Sequence, residues 1–131
     1  MSLDFYATTD CSPRGVWTTS FGAYCAQPVF DESAASISTW ADETFGPAKS
    51  NLTTVRRAIK EMAELEELLL ADDDDPKACA EVADVIIVLS RILEAHKLSI
   101  QAVVNAKMKI NRARKWVLNG DGTGQHVHEG E

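Results

Sequence analysis

Four acidic side chains are spaced so that they could share one cation: Glu61 and Glu64 in KEMAEL, and Glu81 and Asp84 in EVADVI. On a helix, residues three apart lie on one face about one turn from each other. Glu81 falls within an apolar arc shared with Val85, Val88 and Ile92, and Asp84 flanks that arc. A carboxylate buried there without a partner is costly, and the nearest bases in sequence, Lys77 and Arg91, are not both placed to neutralise the pair. Glu61 and Glu64 sit on the flank of an apolar stripe of their own, so antiparallel packing of the two helices would bring four carboxylates together. An all-oxygen set of this kind suits Mg²⁺, with Mn²⁺ as a substitute, because such ions keep waters and share their coordination with substrate phosphates. A di-iron bundle would need histidine three residues after glutamate, and those positions hold Glu64 and Asp84. An interhelical ion-pair network is the alternative use of the four acids. Glu66, Glu67 and Asp72 to Asp75 read as solvated surface.

A basic counterpart follows in NAKMKINRARKW. A stripe that begins with Ile100, Val103 and Val104 continues as Lys107, Asn111 and Arg114, so an inward face turns cationic halfway along. A lysine, an amide and an arginine opposite carboxylates are suited to a metal-bridged phosphate chain, the guanidinium forking two phosphate oxygens. Direct salt bridges to the acids are the other reading. Trp40, and less so Trp116, could stack on a base, although tryptophan more often serves packing.

The elements that must position these residues are helical. DESAASISTWADETFG predicts a first helix capped by Asp31 or Ser33 and stopped at Gly46-Pro47. A long second helix carries Val55, Ala58, Ile59, Met62, Leu65 and Leu69 at helical spacing and closes at DDDDP. Asp75 and Pro76 form a cap and first-turn pair for a third helix running to about Lys97, and Ser99 caps a fourth that runs through KWVL until NGDGTG stops it. The third helix is apolar on more than one side, a surplus that an oligomer would cover. No strand pattern is evident outside the first residues. The expected fold is therefore all-α: a bundle of about four main helices over residues 32–120, an irregular arm over 1–31 and a polar tail over 121–131.

Composition narrows the function. The 131 residues suffice for one domain, and the net charge of −7 argues against gripping a nucleic-acid polymer. No apolar run is long enough for a membrane span, and MSLDFYATTD has no secretory character, so a cytoplasmic setting is expected. Cys11, Cys25 and Cys79 are unpaired in spacing and read as reduced thiols; a zinc site from Cys11, Cys25 and His126 fits no usual ligand pattern.

Glu-x-x-Glu, a gap of 16 residues and Glu-x-x-Asp, followed by Lys-x-x-x-Asn-x-x-Arg-x-Trp, resembles the all-α nucleoside triphosphate pyrophosphohydrolases, the MazG-like family. WADETFGPAKSN, RRAIKEMAEL, EVADVIIVL and NAKMKINRARKW, with a glycine-rich end and His126, look most like its dATP/dGTP diphosphohydrolase branch over residues 37–126. The resemblance implies that Glu61, Glu64, Glu81 and Asp84 hold Mg²⁺, that Lys107, Asn111 and Arg114 hold phosphates, and that the chain forms dimers or tetramers. It implies hydrolysis of a nucleoside triphosphate between the α and β phosphates. Glu61 or Glu64 is expected to handle the attacking water, because Glu81 reads as the more deeply buried and more committed to metal. Alternatives are action on dUTP, dCTP or a modified nucleotide, and a non-catalytic helical interaction module.

Overall fold

The computed structural model describes residues 31–128. Helix α1 spans Ala34–Phe45, α2 Asn51–Ala71, α3 Ala78–Ala95 and α4 Ile100–Ala113. The starts follow from local hydrogen bonding. Ser33 accepts from the Ser36 amide at 3.1 Å while the Ser36 hydroxyl accepts from the Ser33 amide at 2.8 Å, a reciprocal capping box. Ser50 and Ser99 cap α2 and α4 by accepting from the amides of Thr53 and Ala102, each at 3.1 Å. Asp75 accepts from the Lys77 amide at 2.9 Å, but the first turn closes through Ala78 to the Asp75 carbonyl and Cys79 to the Pro76 carbonyl. That turn is of the tight three-residue kind, so the regular helix begins at Ala78 rather than at Pro76.

α3 is the centre of the bundle, packed against both α2 and α1. The short 72–77 connection sets α2 and α3 side by side. The contact surface is built from small residues: Ala34, Ile37 and Ala41 of α1, Ala58 of α2 and the fully enclosed Ser90 of α3 are buried, as are Ser38 and Thr54. Ser90 satisfies its hydroxyl by donating to the Ile86 carbonyl at 2.6 Å.

α2 turns a different face inward from the one its apolar stripe suggests. The buried line is Thr54, Ala58 and Glu61, continued by half-buried Leu65 and Leu68, whereas Val55, Ile59 and Met62 are exposed. On α3 the series Val82, Ile86 and Leu89 is also exposed. Two apolar series at i, i+4, i+7 spacing thus lie on the surface, the pattern of helices with a further partner to cover.

α4 has no more than marginal contact with α1, α2 or α3. It also ends earlier than expected. Trp116–Leu118 forms strand β1, paired antiparallel with β2, Gly124–His126, with Trp116 opposite His126 and Leu118 opposite Gly124. The reason is local. A run of aromatic and branched side chains precedes a turn in which Asp121 accepts from the Thr123 amide at 2.9 Å and its hydroxyl at 2.6 Å. A Cβ on Gly124 would lie 2.8 Å from the Val117 carbonyl oxygen, so the strands can close only on glycine. No helix among the described residues is long and apolar enough to cross a membrane.

Candidate functional site

Glu61 is the most deeply placed acid of the bundle, 6% exposed at the end of the line formed by Thr54 and Ala58. The small side chains before it let α3 approach closely, and α3 presents Glu81 and Asp84 at this level. One carboxylate oxygen from each of Glu61, Glu81 and Asp84 lies within 4.8 Å of the others. Glu81 is half-buried and Asp84 exposed. Glu64, one turn further along α2, is exposed and outside this trio, though its charge reaches Glu81. Loss of solvent and then the charges of Asp84, Glu64 and Glu61 raise the Glu81 carboxyl above the ordinary carboxylate range.

Three carboxylates with no nitrogen or sulfur donor form a hard-oxygen set, and the repulsion recorded at Glu81 is of the kind a divalent cation relieves. The residues therefore fit Mg²⁺ or Mn²⁺. The counter-ion present within the chain is Arg57, whose guanidinium pairs with Glu61 one turn along the same helix. Sequence reasoning named Lys77 and Arg91 as the neighbouring bases and missed Arg57, although Arg-x-x-x-Glu spacing was the signal for it.

Beside the trio opens a cavity of about 710 Å³ between α1, the 46–50 connection, α2 and α3. Glu61 and Asp84 line it, with Arg57 and Lys49 as cations and Trp40 and Phe45 as aromatics. Trp40 and Phe45 meet edge to face with ring centres 5.5 Å apart, and both are more than half exposed. The connection is shaped by Gly46, whose φ of +82° belongs to glycine and whose amide donates to the Asp42 carbonyl at 2.9 Å. Arg91 of α3 holds it from behind: one guanidinium nitrogen donates to Asp42 at 2.7 Å and to the Gly46 carbonyl at 3.1 Å. Arg91 thus pairs with α1 and not with the acidic trio, and Phe45 and Lys49 carried no signal in the sequence that marked them for this cavity.

Lys107, Asn111 and Arg114 are not among the residues that line this cavity, and α4, which carries the first two, makes no more than marginal contact with α1, α2 and α3. Lys107 is exposed, and Arg114 is half-buried as the C-cap of α4. The Asn111 carbonyl accepts from the Trp116 indole at 2.9 Å, which ties Trp116 to the end of α4. The hairpin places His126 near this basic group, with the His128 ring 4.0 Å away. Desolvation, then the charges of His128, Arg114 and Lys107, lower the His126 pKa, so its ring stays neutral at neutral pH. Of the residues considered for zinc, Cys11 and Cys25 lie outside the described residues, and Cys79 is an exposed free thiol.

Over 94 residues the chain is 38% identical to a protein of Salmonella phage PMBT28 named dATP/dGTP diphosphohydrolase, an alignment covering 72% of this chain. The same alignment covers 30% of the phage protein, so this chain spans under a third of that relative. No protein-family model matches the chain, and no solved structure does.

Proposed function

We propose that this chain is a Mg²⁺-dependent nucleotide pyrophosphohydrolase of the MazG-like type, taking a purine deoxynucleoside triphosphate to its monophosphate and pyrophosphate. The observation that carries the reading is the convergence of Glu61, Glu81 and Asp84 beside a cavity that Glu61 and Asp84 line together with Trp40, Lys49, Arg57 and Arg91. The relationship to a protein named dATP/dGTP diphosphohydrolase supports the substrate class.

Glu61, Glu81 and Asp84 would hold the ion. Bound there, Mg²⁺ supplies charge neutralisation at the phosphates and a water of lowered pKa. Glu64 is exposed, one turn from the trio and free of the ion pair that occupies Glu61, which favours it as the group that orients the attacking water and takes its proton. Water oxygen bonds to the α phosphorus as the bond from that phosphorus to the bridging oxygen breaks, and pyrophosphate leaves. Trp40 offers a face to the base, and the cavity volume is within the range of small-molecule sites.

Lys107, Asn111 and Arg114 belong to the same reading if α4 docks on a second copy of the chain. Three features support that assembly: among the described residues α4 makes no more than marginal contact with the other helices, Val104 and Met108 on it are exposed, and so are Val55, Ile59 and Met62 of α2. A partner's basic helix end would then face the acidic trio across the cavity.

The test is a panel of ribo- and deoxyribonucleoside triphosphates with and without Mg²⁺, reading pyrophosphate release, together with Glu61→Gln, Glu64→Gln, Glu81→Gln and Asp84→Asn. Each variant should retain its helical circular dichroism and lose hydrolysis by about 100-fold or more. Preference for dUTP, dCTP or a modified nucleotide would move the substrate but keep the site. Absence of any Mg²⁺-dependent hydrolysis or nucleotide binding would leave a helical interaction module.

A further inference from the structure

Arg57 stands in two places at once. It pairs with the buried carboxylate of Glu61, and it lines the cavity beside that carboxylate. Its side chain is 56% exposed, whereas that of Glu61 is 8% exposed, so the pair joins a buried acid to a solvent-facing base. The other arginine at the cavity, Arg91, is bound to Asp42 and the Gly46 carbonyl and cannot serve the trio without releasing the connection.

We infer that Arg57 is an exchangeable counter-ion: it neutralises Glu61 in the metal-free protein, yields that carboxylate to the divalent cation, and then turns across the cavity to bind the substrate's phosphates. This rests on the metal-site reading above and assigns a phosphate ligand that the cavity's own chain supplies. The physical basis is competition for one anion. A guanidinium and a metal ion both draw on the Glu61 charge, and solvent around the half-exposed guanidinium lowers the cost of releasing it from the buried carboxylate. Once displaced, the guanidinium remains on the cavity side of α2, one helical turn from the acids. A planar fork of donors at that position matches two phosphate oxygens of a metal-bridged chain. The exchange also keeps a cation beside Glu61 in both states, because the arginine leaves as the metal arrives and meets the anionic substrate instead.

Competition and support predict opposite signs, which makes the inference testable. Mn²⁺ is titrated into the nucleotide-free full chain by the loss of its free paramagnetic resonance signal, in the parent, Arg57→Ala and Arg57→Lys. Arg57→Ala should bind Mn²⁺ about threefold to fivefold more tightly than the parent. With Mn²⁺ saturating, pyrophosphate and a non-hydrolysable nucleoside triphosphate should bind Arg57→Ala about tenfold more weakly. Arg57→Lys should restore part of each effect, since it keeps the charge and loses the fork. Unchanged or weaker Mn²⁺ binding by Arg57→Ala, in a variant with parental circular dichroism, would overturn the inference: the guanidinium would then brace Glu61 rather than compete for it. Unchanged phosphate binding would overturn it equally. A parent that binds no Mn²⁺, with Glu81→Gln behaving identically, would instead remove the metal-site reading on which the exchange depends.

Discussion

Neutralising Glu81 should stabilise the metal-free protein and abolish its stabilisation by metal. Oxygens of Glu61, Glu81 and Asp84 lie within 4.8 Å of one another. Two unit charges at that distance repel by about 1 kcal/mol in water-like surroundings and by about 3.5 kcal/mol at an effective dielectric of 20. Asp84 is exposed and Arg57 offsets part of the Glu61 charge, so the lower figure applies, and Glu81→Gln should gain about 1 kcal/mol in chelator. For a chain of this size that is a rise in Tm of about 3–5 °C. The pH dependence has a fixed sign. Because the folded-state pKa of Glu81 is raised, its stabilising contribution is complete below the ordinary carboxylate range and is lost as pH rises through the raised value. The difference between variant and parent should therefore be small in acid and grow toward neutrality. With Mn²⁺ at ten times its dissociation constant the parent should gain about 1.4 kcal/mol and the variant little, so that the two melting curves cross. The assay is differential scanning fluorimetry at one protein concentration, in chelator and in Mn²⁺, across pH. A variant less stable than the parent in chelator at neutral pH, or one that gains as much from Mn²⁺, would refute the account of the trio as a repulsive cluster awaiting a cation.

Trp40→Ala should raise KM for the nucleotide at least about fivefold with kcat little changed, since stacking on a base contributes about 1 kcal/mol or more; an unchanged KM in steady-state kinetics would remove Trp40 from the substrate. Arg91→Ala frees Asp42 and the Gly46 carbonyl, and should raise KM while leaving Mn²⁺ affinity in the resonance titration as it was. Ile59→Asp places a charge in the exposed apolar series of α2 and should shift the protein to a smaller species in sedimentation, with loss of hydrolysis if a second copy completes the site. A parent that sediments as a monomer would exclude that arrangement.

The caps at Ser33 and Ser99 were legible in the sequence because they are local: each needs only an amide three residues on. The approach of Glu61 to Glu81 and Asp84 was also legible, since periodicity places acids on a helix face and a short loop sets the two helices side by side. Periodicity could not decide which of two faces of α2 meets α3. Hydrophobicity favoured Val55, Ile59 and Met62, but close packing selected Thr54, Ala58 and Glu61, the narrower side. Nor could it reveal that α4, the helix of Lys107 and Asn111, makes no more than marginal contact with the other described helices, because a pattern reports that a face wants cover and not what covers it. The hairpin was missed for another reason. Trp116, Val117 and Leu118 are too few to distinguish a strand from the last turn of a helix, and only pairing with Gly124 to His126 separates the two.

The methyl group of Ala58 sits one turn before Glu61 at the seam between α2 and α3. It acts as a spacer, and the separation of the two helix axes at the acids is gauged by it. Widening that spacer would part Glu61 from Glu81 and Asp84 without altering a single ligand. The opening between the three carboxylates is thereby written into a side chain that carries no charge.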